Sequence, residues 1–407
     1  MVHYIGTGVI CQKGKPPIRV VFLFTLHSSL FSPNEGFFGG NREYVNISRE
    51  HGREEARGLF ADTKSIFCFK VEKKWVLWYN CFINAKGIEK MKLSSSTGDF
   101  SYYVNTVPQK VICFKETKFN YINLEQTGNI PEFFSENDDD WKRFADECGE
   151  AADIAGVTYV LSHAPCLHNA VLPALADRDN EVYRANVRAI RRSVEVCNLL
   201  GIKRIVIHAC TDAAFTEEAF YKYNKMFYGE FFDLAEKYGI TLMTENWDND
   251  RSHFSTGKQI RDFIDSVDHP LLAACWDTAH GNIAKNAREN GQYNNIIAIG
   301  DKLKALHISD NFGDCHHHSW PFAGIINFDE IMQGLLDVGY DGYFNFEASY
   351  TLLHHNNIPY HRKTWEYQGE PRTTLLDPSM KLKQKAVDLL YDIGQYILES
   401  YHCFDEK

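Results

Sequence analysis

The sequence predicts a closed (β/α)8 barrel over roughly residues 91–400. In this part of the chain, short apolar strand-like segments alternate eight times with segments of helical period. The strand-like segments are continuously apolar, which is typical of parallel strands covered by helices. Eight units in about 310 residues fit a barrel, which needs about 250. A doubly wound open sheet is the alternative, but no GxGxxG motif follows an early strand.

The predicted strands are Lys92–Ser95, Phe119–Leu124, Thr158–Ser162, Arg204–Ile207, Ile240–Thr244, Leu271–Trp276, Leu303–Ile308 and Tyr343–Phe346. The predicted helices are Ser101–Glu116, Asp140–Ala155, Glu181–Leu200, Glu217–Tyr238, 257–267, 290–301, 328–338 and 379–399. Trp141, Phe144 and Cys148 recur at a helical period in the second helix. Gly201 and Gly239 directly follow the third and fourth helices, where a glycine commonly ends a helix.

Charge divides the chain in two. Residues 1–90 carry 13 Lys and Arg against 8 Asp and Glu, whereas the rest carries 30 against 46. No regular alternation of elements is visible before Met91, so we place a domain boundary there. Residues 91–407 are predicted to be the barrel, and residues 1–90 an N-terminal extension of unassigned structure. Because Met91 directly precedes the first strand, we expect the extension to be poorly ordered or to come from a misplaced start.

Composition limits the function classes. The 407 residues carry a formal charge of -11, which gives no general attraction to nucleic acids or anionic membranes. No apolar run approaches the 18 residues that suggest a membrane span. The eleven cysteines include no CxxC pair, a pattern typical of free thiols in a reducing compartment. We therefore expect a cytoplasmic protein without nucleic-acid or membrane partners, and self-association into a homo-oligomer is compatible with the sequence.

Six consecutive predicted strands end in a histidine or a carboxylate, at the end of the barrel where active sites lie. The residues are His163, His208, Glu245, Asp277, His307 and Glu347. One such residue is usually structural, but several carboxylates at one rim are costly to bury unless a cation or hydrogen bonds compensate. A mixed oxygen and nitrogen set suits a divalent metal ion, namely Mn, Mg, Co or Zn.

The motifs at these strand ends carry a resemblance to a known family. They are His163-Ala164-Pro165, Glu245-Asn246, Asp277-Thr278-Ala279-His280, His307-Ile308-Ser309-Asp310 and Gly339-Tyr340-Asp341-Gly342 before Glu347. Residues 91–400 resemble the xylose-isomerase-like TIM barrel superfamily, in its sugar (phosphate) isomerase/epimerase branch. The resemblance implies that Glu245, Asp277, His307 and Glu347 hold the metal.

The resemblance also concerns the rim. It implies that His280 contacts a substrate oxygen and that His318, three residues before a proline, lies at the edge of the site. His316 departs from the family pattern, which has an acidic residue there, so the resemblance gives little support for a second metal site. We predict that His163, His208, His280, His318 and Trp247 bind the substrate.

A chemical argument leads to the same residues. To move a carbonyl or invert the carbon beside it, a proton must leave that carbon, and a bound metal stabilises the resulting enediolate. A carboxylate on each face can remove and return the proton. Glu245 and Glu347 come from non-adjacent strands, so we predict that they are the catalytic acid/base pair of a metal-dependent sugar isomerase or epimerase. The expected partner is a small sugar or polyol-ketone substrate.

Three other functions are compatible with the sequence. An inosose-type dehydratase uses the same proton abstraction and then expels a hydroxide. An AP endonuclease-like zinc phosphodiesterase shares the barrel and a fuller ligand set, although DNA binding favours basic loops and residues 91–407 are acidic. A non-catalytic binding barrel is the third alternative, and an intact set of ligand residues argues against it.

Overall fold

The structure is a computed structural model that describes residues 90–127, 130–166, 179–211, 215–356 and 362–405, and six strands within the first 89 residues. The chain divides into two compact units, Met1–Gly87 and Ile88–Lys407. In the first unit the six strands form three antiparallel pairs. The pairs are His3–Ile10 with Ile18–Thr25, Tyr44–Ile47 with Ala56–Leu59, and Ser65–Val71 with Lys74–Asn80.

The second unit is the predicted (β/α)8 barrel. Its strands are β1 Leu93–Ser96, β2 Tyr121–Glu125, β3 Thr158–His163, β4 Arg204–Val206, β5 Thr241–Glu245, β6 Leu272–Asp277, β7 Leu303–His307 and β8 Phe344–Phe346. All neighbours pair in parallel, in the order β7-β6-β5-β4-β3-β2-β1-β8. A parallel bridge between Ile308 and Phe346 joins β7 to β8 and closes the ring.

Helices connect the strands. The α-helices are Val107–Ile112, Pro131–Phe134, Asp138–Ala155, Glu181–Leu199, Glu217–Gly229, Phe232–Tyr238, Gly257–Val267, Thr278–Ile283, Lys285–Asn290, Gln292–Ile299, Phe328–Val338 and Met380–Ser400. Short 3-10 turns occur at Thr97–Phe100, Cys113–Glu116, Asp250–Ser252, Gly300–Lys302 and Ser349–Thr351. An exposed hairpin pairs Trp365–Tyr367 with Glu370–Arg372. Among the described residues, no helix has both the length and the apolar character needed to cross a membrane.

Two predicted helices differ from the structure. The helix expected over Ser101–Glu116 begins only at Val107, because the Thr106 hydroxyl caps its first turn and Pro108 has no N–H with which to continue a helix from upstream. The helix expected over Glu217–Tyr238 is interrupted, because Phe231 leaves the helical backbone conformation at φ -121° and ψ -12°.

The buried apolar residues form two clusters, and the smaller cluster fills the barrel interior beneath the rim. It consists of Leu161, Val206, Met243, Ala273, Cys275 and Ala305, contributed by β3 to β7. Their chain neighbours, such as Leu242 and Ala274, belong to the larger cluster that includes the helices. Because side chains alternate between the two faces of a strand, this interior layer fixes which later residues point inward at the rim.

A buried ion pair connects the last helix to the loops that follow β1 and β8. Nζ of Lys383 donates to Oγ1 of Thr351 (2.6 Å) and to the backbone oxygen of Ser349 (3.1 Å), and it lies 3.8 Å from Oδ1 of Asp99. Both charged side chains are fully buried. Burial lowers the pKa of Lys383 to about 8 and raises the pKa of Asp99 to about 6, so both are charged near pH 7.

Removal of this lysine is expected to destabilise the barrel. Lys383→Ala leaves Asp99 buried without its counter-ion, and the free energy of unfolding should fall by about 3–5 kcal/mol. Urea unfolding followed by circular dichroism measures the change. Lys385→Ala, at an exposed position on the same helix, is the matched control and should change the free energy by about 0.5 kcal/mol or less. Equal effects of the two substitutions would contradict a stabilising role for the buried pair.

Candidate metal centre

The alternation of side chains along the strands brings the predicted residues to one rim. His163, His208, Glu245, Asp277 and His307 each lie two positions beyond an interior residue of the same strand or its extension. Glu347 follows β8, and its backbone N–H donates to the oxygen of Ile308 (3.0 Å). All six side chains therefore point into the same mouth, as the order of the strand ends predicts.

Four of these side chains converge. Glu245, Asp277, His307 and Glu347 each offer one oxygen or nitrogen atom, and the four atoms lie within 4.8 Å of one another. Nδ1 of His307 lies 2.9 Å from Oε1 of Glu245 and 2.7 Å from Oε2 of Glu347. Three of the residues are fully buried, whereas Glu347 keeps 18% of its side chain exposed toward the mouth.

Asn246 fixes the position of Asp277. Its side-chain oxygen accepts from the backbone N–H of Asp277 (2.7 Å), and its side-chain NH2 donates to the backbone oxygen of Asp277 (2.9 Å). Oδ1 of Asp277 then caps the helix Thr278–Ile283 by accepting from the N–H of His280 (2.7 Å). Oδ2 is buried and accepts no hydrogen bond from the described residues. One carboxylate oxygen is thus held by the backbone and the other remains available to a ligand.

Imidazoles surround the carboxylate of Glu245. His208 Nε2 lies 2.9 Å and His163 Nε2 3.3 Å from Oε2, while His280 Nδ1 lies 3.5 Å from Oε1. Burial raises the pKa of Glu245, but His307 and His208 outweigh this effect and hold the pKa well below its usual value. The carboxylate is therefore ionised in spite of complete burial.

His307 and Glu347 form the other half of the centre. Burial lowers the pKa of His307, but Cys275, Glu245 and Glu347 together raise it well above its usual value. Burial raises the pKa of Glu347, and the charge of His307 outweighs this to lower it. A proton on His307 therefore compensates the negative charges of two carboxylates. A divalent cation can replace this proton, because it supplies the positive charge and because a set of oxygen and nitrogen donors suits it.

The structure brings the five residues predicted to bind substrate to the same rim. Nδ1 of His163 donates to the oxygen of Ala164 (2.9 Å), so Nε2 faces His208 at 3.0 Å. The ring of Trp247 packs edge-on against His208, with 4.9 Å between centroids. His163 and His208 thus lie beside Oε2 of Glu245, and Trp247 packs against His208.

The other two predicted substrate ligands, His280 and His318, are held by backbone oxygens. Nδ1 of His280 donates to the backbone oxygen of Asn246 (2.7 Å), and Nδ1 of His318 donates to that of Glu347 (3.0 Å). His316 lies between them, with its ring centroid 4.6 Å from that of His280, and Nε2 donates to Oδ2 of Asp248 (2.8 Å).

Sequence reasoning missed three polar residues at the rim. Cys166 lies with His163 and His208 in a second group whose donor atoms are within 4.8 Å, and burial raises the pKa of its thiol. Asp248 orients His316. Glu125 ends β2 just as Glu245 ends β5, so the signal was present in the sequence: a carboxylate directly after an apolar strand.

Comparison with known proteins identifies the family. Residues 114–366 match the family model for the xylose isomerase-like TIM barrel. The chain belongs to this family. An inosose isomerase from Bacillus velezensis is 23% identical over 238 residues, which cover 56% of this chain and 78% of the relative. Curated relatives are matched over 53% to 79% of their own length.

Solved structures share the fold at low identity. A D-tagatose 3-epimerase-like protein has a TM-score of 0.53 and 20% identity, covering 76% of this chain and 100% of the other. The IOLI protein, solved with a bound zinc atom, has a TM-score of 0.53 and 17% identity, covering 76% and 99%. The predicted family and the predicted barrel are therefore confirmed.

The role of Asn246 can be tested through metal affinity. Asn246→Ala removes both hydrogen bonds that hold Asp277 and should weaken zinc binding by about 10- to 100-fold. Competition with a chromophoric chelator measures the affinity. Asn294→Ala, at an exposed position on an outer helix, should leave the affinity unchanged. An affinity in Asn246→Ala equal to that of the wild type would argue against this positioning of Asp277.

The protonation of His307 predicts how metal affinity depends on pH. Because its pKa is raised, a metal ion must displace a proton when it binds at neutral pH. The apparent affinity should therefore rise with pH, by about tenfold per unit while one proton is released. Isothermal titration calorimetry in buffers with different ionisation enthalpies counts this proton. If close to zero protons were released per metal ion bound at pH 6.5, His307 would not be protonated in the metal-free protein.

Proposed function

We propose that this chain is a divalent-metal-dependent isomerase or epimerase of a small polyhydroxylated ketone. The observation that carries the proposal is the pair of carboxylates, Glu245 and Glu347, that flank Nδ1 of His307 at 2.9 and 2.7 Å. They lie beside the oxygen of Asp277 that accepts no hydrogen bond from the described residues. Inosose isomerases and sugar epimerases among the relatives and structural neighbours support the same class of reaction.

Glu245, Asp277, His307 and Glu347 would hold the cation. When bound, a divalent cation polarises a carbonyl oxygen and stabilises the negative charge that develops during enolisation. The metal in the IOLI neighbour supports this assignment but does not identify the ion used here.

Glu245 and Glu347 act as the acid/base pair in this proposal. Both side chains are carboxylates of the predicted metal set, so either can accept a proton from the carbon beside the carbonyl. The other glutamate returns a proton. Return to the same carbon from the opposite face inverts that carbon, as in an epimerase; return to the former carbonyl carbon, while a proton passes from the hydroxyl oxygen to the carbonyl oxygen, relocates the carbonyl, as in an isomerase. Nδ1 of His280 is held by the backbone oxygen of Asn246, so Nε2, which lies 3.9 Å from Oδ2 of Asp277, can bind a substrate oxygen.

Several narrower expectations belong to the same proposal. His163, His208, His318 and Trp247 would line the substrate site together with His280. The substrate would be a ketose or an inosose, since both carry a hydroxyl beside the carbonyl. The cytoplasmic location expected from the cysteine pattern is consistent with such a metabolite enzyme, and it stays a prediction.

Deuterium exchange tests the proposal. The protein loaded with Mn is incubated with a panel of ketoses and inososes in deuterated water, and NMR identifies the carbon that gains deuterium. We expect label at a carbon beside the carbonyl of at least one substrate. Glu245→Gln and Glu347→Gln should each lower the exchange rate by about 10²- to 10⁴-fold, because each removes one partner in proton transfer.

Metal occupancy must be measured in the same samples. Asp277→Asn removes a predicted metal ligand without removing a predicted base, so at equal occupancy it should lose less activity than either glutamine variant. If both glutamine variants turn over normally with metal bound, the assignment of the acid/base pair is wrong. Loss of water from the substrate would indicate the dehydratase, and cleavage of an abasic duplex would indicate the phosphodiesterase.

A further inference from the structure

Glu125 brings a further carboxylate to the mouth of the barrel. It is the last residue of β2, and its Cα is paired with that of His163 at the end of β3. Ile122 and Leu124 belong to the hydrophobic cluster outside the strands. By alternation, Asn123 and Glu125 face inward. The proposed proton transfer and the metal set make no use of this carboxylate.

The loop after β1 is built around the Glu125 carboxylate. The hydroxyl of Ser96 donates to Oε1, and the backbone N–H of Glu125 donates to Oγ1 of Thr97 (2.9 Å). A Cβ atom at Gly98 would lie 2.5 Å from Oε2, so only glycine leaves room for the carboxylate in this position. These contacts orient the side chain and occupy only one of its two oxygens.

Oε2 of Glu125 is available to a ligand. Among the described residues, no hydrogen-bond donor reaches this oxygen and no basic side chain forms an ion pair with Glu125. The residue is partly exposed. Burial and the charge of Glu347 raise the pKa of Glu125, and the hydrogen bond from Ser96 and the charges of His163 and Lys110 oppose this rise. Ser96 thus satisfies one oxygen of this oriented carboxylate, and the other oxygen can accept a hydrogen bond from a ligand.

The topology indicates what that ligand is. The metal set comes from β5 to β8, and in a ring of eight strands β2 lies opposite β6, which carries Asp277. A polyhydroxylated ketone held by its carbonyl end at the metal set extends across the mouth toward β2. Its remaining hydroxyls need acceptors, and a carboxylate oxygen is a strong acceptor for a hydroxyl.

We propose that Glu125 binds a hydroxyl of the substrate remote from the reacting carbons and thereby selects polyols of one length and configuration. This inference rests on the proposed function and extends it to substrate selection. The competing explanation is that Glu125 only braces the loop after β1 through Ser96 and Thr97. If Glu125 binds substrate, the loss of kcat/KM on its substitution should disappear for a substrate that lacks one particular hydroxyl. If Glu125 only braces the loop, the loss should be the same for every substrate.

A coupling experiment separates them. The value of kcat/KM is measured for wild type and Glu125→Gln with the best ketone of the panel and with each of its mono-deoxy analogues. We expect Glu125→Gln to lower kcat/KM by about 10- to 100-fold, mainly through KM. For the one analogue that lacks the bound hydroxyl, wild type and Glu125→Gln should have the same low kcat/KM. Glu116→Gln, at an exposed position, is the matched control and should behave as wild type.

Other results would overturn the inference. If Glu125→Gln lowers kcat/KM by the same factor for every analogue, or lowers only the thermal midpoint, then Glu125 braces the loop and does not bind substrate. If wild type exchanges no deuterium with any ketone, the proposed function fails, and calorimetric binding of the same polyols to the Mn-loaded protein replaces the kinetic readout. If Glu125→Gln binds the polyols more weakly than wild type and Glu116→Gln do, the result would then support the role of Glu125. Equal binding by wild type and Glu125→Gln, or no binding by wild type, would refute it.

Discussion

The ionised carboxylate of Glu245, buried among four imidazoles, is the interaction on which the rim depends. A buried charge is costly unless charge and hydrogen bonding compensate it fully. Here the compensation comes from His163, His208, His280 and His307, contributed by four different strand ends or the loops that follow them. The contacts that stabilise the charge of Glu245 therefore also hold these strand ends in fixed relative positions at the mouth.

Much of this arrangement follows from sequence. Parallel strands end at one rim and side chains alternate, so a carboxylate or histidine directly after an apolar strand must face the mouth. Glu245, Asp277 and His307 obey this rule, and the structure brings them together as expected. The helices Gly257–Val267 and Phe328–Val338 begin and end where their periodicity predicted. The domain boundary near Met91 and the nature of residues 1–90 stay predictions.

The errors have local causes. Apolar periodicity alone does not show where a helix starts. The first predicted helix is longer than the observed one because the cap formed by Thr106 and the missing N–H of Pro108 set its start, and neither is part of the apolar pattern. Periodicity also continues across a single non-helical residue, which is why the break at Phe231 was missed. Glu125 was overlooked for another reason: the segment Phe119–Leu124 was ended one residue before it. Contacts such as His316 with Asp248 depend on loop shape, which no repeating pattern encodes.

The central claim is that Glu245, Asp277, His307 and Glu347 together hold one divalent ion. The most direct measurement is anomalous X-ray scattering at the zinc edge from a crystal grown with zinc. The account predicts a strong peak about 2.0–2.2 Å from a donor atom of each of these four residues. A map with no peak between these four side chains, or with peaks only at other groups of ligands, would contradict it.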